Sequence, residues 1–123
     1  PEGHNIPDTW VEMIANGNRE EAMVLQEGFV HTLGNLTLTG FNSTLSNMSF
    51  DKKKNRKKDG KYVGYKNGLY LNRDLSEKSV WCVDDIKART ERLVADAVEL
   101  FEFNDEQLVG FFSCQGILDN SGV

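Results

Sequence analysis

Residues 31–54, HTLGNLTLTGFNSTLSNMSFDKKK, constrain this chain more than any other stretch. Leu36 and Leu38 alternate with Asn35, Thr37 and Thr39, a period of two that predicts a short half-buried strand. Gly34 opens the segment and Gly40 closes it, and glycine takes turn dihedrals that other residues do not. Asn42, Ser43, Ser46, Asn47 and Ser49 then crowd a helix start, where short polar side chains satisfy the first amide groups. Phe50 and a lysine-rich run follow. The helix carrying Asn47 is expected to reach about Lys58 and to stop at Asp59-Gly60.

The flanks read as helices. Pro7 and Asp8 start a short one, with Asp8 as the expected cap, Trp10, Val11 and Ile14 inward and Gly17 as the stop. Asn18 and Glu21 have capping-box spacing for a second helix, Arg19 to about Glu27, with Gly28 as its stop. Residues 61–70 form a loop or weak hairpin in which Asn67-Gly68 is a turn signal. Residues 72–78 predict a short helix. The longest helix is expected from about Asp84 to Phe103, because Ile86, Thr90, Leu93, Ala97 and Leu100 recur at helical spacing. Trp81 should pack back onto it. Residues 104–123 are apolar enough, through Leu108, Phe111, Phe112 and Ile117, to pack against something. The class is therefore α+β and mainly helical.

At 123 residues the chain is read as one domain with a modest core. No apolar run approaches a membrane span, so no membrane is expected. Cys82 and Cys114 lack metal-ligand spacing, and reduced thiols in a cytoplasmic setting are the expectation. A net charge of −5 argues mildly against a nucleic-acid partner, but the distribution argues for one. Lys52, Lys53, Lys54, Arg56, Lys57, Lys58, Lys61 and Lys66 make up eight of the fourteen basic residues, and none follows Leu93. The local field, not the total, steers a phosphate backbone. A solvated helix face is the plain alternative for such a run.

The run LGNLTLTGFNSTLSN followed by Phe50 and lysines resembles the C-terminal nuclease domain of GmrSD-type, modification-dependent restriction enzymes, which are HNH-like, His-Me finger nucleases. Leu71-Asn72-Arg73, Leu75, Trp81, Ile86, Arg89, Leu93 and Ala97 agree with that family's spacing, and the resemblance extends to about Phe103. It implies the remnant of a ββα-metal finger embedded in a helical domain. In such a finger a first strand delivers a His as general base, an Asn on the second strand holds that loop, and an Asn or His on the helix binds a divalent metal. Carried to this chain, Asn35 orients the loop, Asn42 or Asn47 ligates Mg²⁺ or another divalent cation, and Lys52, Lys53, Lys54, Arg56, Lys57 and Lys58 track the DNA backbone. Recognition of a modified base would fall to an NTPase-like domain of the complete protein.

The family's H-x-x-P motif has two registers here. His4-Asn5-Ile6-Pro7 fits the letters, but Pro7 is only three residues before Trp10, where the family separation is about nine. Placing the motif's proline at Pro1 restores that separation and puts the catalytic His upstream of Pro1. We adopt this second register. The fragment is then expected to be an endonuclease domain of a restriction or defence system that is inactive by itself, with His4 incidental. His31 matches a histidine common in the family, and a supporting role beside Asn35 is expected of it. The rival reading is a non-catalytic module that binds DNA or a partner.

Overall fold

The computed structural model describes residues 5–40 and 42–102, residue 42 by its backbone. His4 and the expected packing of residues 104–123 lie outside the described residues. By Cα proximity the chain divides into two compact units, Pro1–Glu91 and Arg92–Val123. The architecture is mainly helical with one two-stranded sheet: α1 (Asp8–Ala15), α2 (Arg19–Phe29), α3 (Phe50–Asn55), β1 (Lys57–Lys58), β2 (Lys61–Tyr62), α4 (Arg73–Glu77) and α5 (Val83–Leu100).

Pro7, not Asp8, is the residue before α1, and its carbonyl accepts from the amides of Trp10 and Val11. Asp8 lies in the first turn instead and pairs with Arg19, whose Nη1 also donates to the Ile6 carbonyl at 2.9 Å. Asn16 and Gly17 end α1 at φ 47° and 85°. The cap of α2 is the expected one: Asn18 Oδ1 accepts from the Glu21 amide at 3.1 Å. Gly28 does not stop α2, which continues through Phe29. Ile6, Val11, Ala15 and Ala22 form one buried cluster. Phe50, Leu75, Trp81 and Ile86 form a second, and Trp10 packs against both. Phe50 is its hub, stacked on Trp81 at 6.0 Å and edge-on to Trp10 at 6.3 Å.

Two expectations are corrected. The strand at Leu36–Leu38 is not formed. The backbone there is extended, with Leu36 at φ −98° and ψ 143°, but it is not assigned to a strand. The period of two survives with its polarity reversed. Leu36 and Leu38 are 48% and 64% exposed, whereas Thr37 turns inward and donates to Asn72 Oδ1. Side chains take the place of a neighbouring strand: Arg89 donates to the Leu36 carbonyl at 2.7 Å, and Asn72 and Asn67 donate to that of Leu38 at 2.9 and 3.2 Å.

The second correction concerns the lysine run. Ser49 caps α3, whose six residues end at Asn55, and Asn47 precedes the helix in a turn. Arg56 leaves the helix at ψ 128°. Asp59 and Gly60, at φ 50° and 76°, then make the tight turn of an antiparallel hairpin pairing Lys57 with Tyr62 and Lys58 with Lys61. The chain next folds back over the end of α3. The amides of Tyr65 and Lys66 donate to the carbonyls of Lys53 and Lys54 at 3.3 and 3.2 Å, satisfying groups a helix end leaves open. Gly64 is required for this approach, because a Cβ there would overlap the Lys53 carbonyl oxygen.

Helix α5 begins one residue before the expected position and ends three before the expected end. Its amino end is fastened by Asp85, whose Oδ2 accepts from the Cys82 amide at 2.9 Å. Burial by itself would raise the Asp85 pKa, but hydrogen bonds from Lys78 and the Cys82 amide outweigh it and hold the carboxyl below its ordinary value. In the second unit, Val94, Ala97, Val98, Leu100 and Phe101 are exposed. The inward face expected for them is absent among the described residues, and the buried positions of α5 are Ile86 and Arg89.

Candidate nucleic-acid site

The loop between α2 and the extended segment is built on close backbone approach. Gly34 lies against α5, its amide donating to Thr90 Oγ1 at 2.9 Å, and a Cβ at that position would collide with the Ile86 carbonyl oxygen. Arg89, 3% exposed, fastens three segments at once. Its Nη1 donates to the carbonyls of Gly34 and Leu36, each at 2.7 Å, and its Nη2 to that of Leu71 at 2.9 Å. Asp74 lies 3.9 Å from its Nε. A planar guanidinium with several fixed donors suits this task, where a lysine would supply only a point charge.

Asn35 uses both ends of its amide. Nδ2 donates to the Val30 carbonyl at 3.2 Å and Oδ1 accepts from Trp81 Nε1 at 3.0 Å. The side chain thus ties the residue preceding His31 to the aromatic core. His31 is exposed, and among the described residues no hydrogen bond fixes its ring. A cleft of about 240 Å³ is lined by His31, Asn35 and Thr37 on one side and by Trp10, Lys53, Tyr65 and Trp81 on others. Burial pushes the Tyr65 hydroxyl up to about 12, so it carries its proton at neutral pH.

Asn42 begins a 3-10 turn over Asn42–Thr44, and Asn47 is exposed in the next turn, anchored by buried Leu45. Among the described residues no group of three or more His, Cys, Asp or Glu side chains could hold a metal ion. An exposed amide oxygen on a turn fits a hard cation only when phosphate oxygens and water complete its shell, which is how Mg²⁺ is commonly bound.

The basic residues are not equivalent. Lys52, Arg56, Lys57 and Lys58 are exposed. Lys54 is half-buried and its Nζ donates to the Lys78 carbonyl at 2.7 Å. Lys53 is 8% exposed, with Nζ 5.3 Å from the centre of the Trp10 ring, and burial lowers its pKa. The structural work of Asn72 and Arg89 was missed by sequence reasoning beyond their family spacing. The readable signal was Arg89 itself, three residues after Ile86 on the face expected to be buried. A charged residue on such a face requires acceptors inside.

The fold and this set of side chains define a small, mainly helical α+β module with a basic hairpin beside an aromatic-floored cleft. The family model described as GmrSD restriction endonucleases, C-terminal domain, matches residues 4–96, and the chain belongs to that family. Neither the curated proteins nor the solved structures give a match. Among the described residues no helix is long and apolar enough to cross a membrane.

Proposed function

We propose that this chain is a DNA-cleaving module of a restriction system, hydrolysing phosphodiester bonds with a divalent cation. The observation that carries the reading, with family membership, is the placement of Asn35: it holds the His31-bearing loop against Trp81, on the same cleft as His31 itself. On this reading residues 35–55 are the remnant of a ββα-metal finger, and Asn35 positions the loop without touching the reacting atoms. Asn42 or Asn47 would contribute a ligand to the cation, which when bound would stabilise charge on the scissile phosphate and the leaving oxygen. Lys52, Arg56, Lys57 and Lys58 would contact phosphates without reading sequence. A modified base would be recognised by an NTPase-like part of the complete protein. Cleavage is read as Mg²⁺-dependent nicking of supercoiled plasmid, abolished by a chelator.

Replacing Lys52, Arg56, Lys57 and Lys58 together by Ala should weaken duplex binding and flatten the slope of log K against log salt by up to ~0.9 per lost phosphate contact. Electrophoretic mobility shifts at several salt concentrations measure it. Binding and slope equal to those of the unaltered chain would reduce the run to a solvated surface. A second reading, a DNA-binding module without catalysis, is favoured by the exposed His31 ring, which no described side chain orients. Under it the quadruple variant loses DNA binding while no form of the chain cuts.

A further inference from the structure

We infer that the cleft between the His31–Thr37 segment and α3 is a pocket for a single phosphate group of a nucleic-acid strand, with the recessed ammonium of Lys53 as its positive group. This deepens the nuclease reading and rests on it for the identity of the ligand. Lys53 is 8% exposed as a residue, its ammonium keeps some access to solvent, and among the described residues it enters no ion pair and no hydrogen bond. The Trp10 face, 5.3 Å from Nζ, is a partial substitute. Cation–π attraction offsets only part of the cost of holding an unpaired charge away from bulk water. The neighbouring basic residues do not share this setting: Lys52 is exposed, and half-buried Lys54 donates to the Lys78 carbonyl.

Its backbone is also held. The Lys53 carbonyl accepts from the Tyr65 amide, and Gly64 is pressed against that carbonyl. The side chain starts from a fixed base at a cleft that Lys53 and Tyr65, its hydroxyl protonated at neutral pH, both line. Burial lowers the Lys53 pKa, and an anion beside it would raise it again. One recessed cation and one hydroxyl donor between two indole walls suit a single phosphate with part of its nucleotide, not a length of backbone.

The chain has two tryptophans, and both line this cleft, so the whole indole emission reports on it. Inorganic phosphate and a 5′-phosphorylated dinucleotide should each change that emission saturably, the dinucleotide at ~10-fold lower concentration or less, as further contacts add to the phosphate's. Lys53→Met removes the charge while keeping the stem. It should fold, because an unpaired buried charge is lost, and should weaken both ligands ~10-fold or more. In the unaltered protein, acetic anhydride labelling of Lys53, read by mass spectrometry, should be slowed by phosphate while labelling of Lys52 is not. No saturable response, equal binding by Lys53→Met, or unprotected Lys53 overturns the pocket. Phosphate binding as tightly as the dinucleotide overturns its assignment to a strand. Plasmid nicking that survives Lys53→Met with no phosphate response refutes this pocket alone. A phosphate response in this chain with no nicking of any DNA refutes the nuclease reading alone.

Discussion

Arg89→Met should cost ~3–5 kcal/mol and deprive the first unit of much of its cooperativity. The aliphatic replacement fills most of the space but leaves the carbonyls of Gly34, Leu36 and Leu71 without the donor that satisfies them. Each hydrogen bond to a charged group contributes ~1.5–3 kcal/mol, and an acceptor left buried adds its desolvation penalty. The carboxylate of Asp74 also loses its neighbour. Small domains are stable by ~5–15 kcal/mol in total, so the loss removes a large share. Arg89→Lys should rescue little, because an ammonium cannot reach three carbonyls from one rotamer. Urea denaturation followed by circular dichroism measures the loss. A midpoint within experimental scatter of the unaltered protein would mean that the loop and α5 are held together by something else.

Gly34→Ala should be among the most damaging single-methyl changes, at the upper end of the ~1–3 kcal/mol typical of overpacking. The added Cβ meets backbone of α5, the Ile86 carbonyl oxygen, and the Thr90 hydroxyl that accepts from the Gly34 amide. Backbone cannot rotate away as a side-chain end can, so the loop carrying His31 and Asn35 must lift from the helix. Gly28→Ala is the matched control. Open space surrounds that position inside α2, and it should be neutral or gain ~0.4–1 kcal/mol from a less flexible unfolded chain. Thermal melts of the two variants compare them directly. Equal melting temperatures would remove the close approach of loop and helix from this account.

The fold was legible where local chemistry decides. Asn18 with Glu21, Pro7, Gly17 and the apolar spacing around Ile86 fix helix positions through capping, turn dihedrals and one buried face. Legibility failed where the deciding partner is distant in sequence. Leu36 and Leu38 alternate as a half-buried strand should, yet the acceptors along that segment are met by Arg89, Asn67 and Asn72, so Thr37 turns in and the leucines turn out. Asp59-Gly60 signals both a helix stop and a hairpin turn. Within a run of lysines no alternation of apolar residues distinguishes the two, and the hairpin forms. The exposed face of α5 beyond Arg92 shows the same limit, since helical spacing of apolar residues does not by itself supply a covering surface. Of the candidate site, the family resemblance pointed to Asn35 and His31, which line one cleft, and the charge distribution pointed to the basic run. What they could not give is depth: Lys53 lies buried between exposed Lys52 and half-buried Lys54 because α3 turns it toward Trp10.

The most direct measurement is nicking of supercoiled plasmid by this chain and by its His31→Ala and His4→Ala variants, with Mg²⁺ or Mn²⁺ and with chelator. Asn35, Asn42 and Asn47 can orient or ligate but cannot accept a proton near neutral pH, and His31 is exposed and unfixed. General-base assistance is typically worth ~10²–10⁴-fold. The account predicts metal-dependent nicking by this chain, abolished by chelator, slow for want of a fixed base among the described residues, and unchanged by His31→Ala or His4→Ala. Loss of nicking in His31→Ala would contradict it by making His31 the base, and loss in His4→Ala would restore His4-Asn5-Ile6-Pro7 as the motif. No nicking, on modified or unmodified DNA, would contradict the nuclease claim itself.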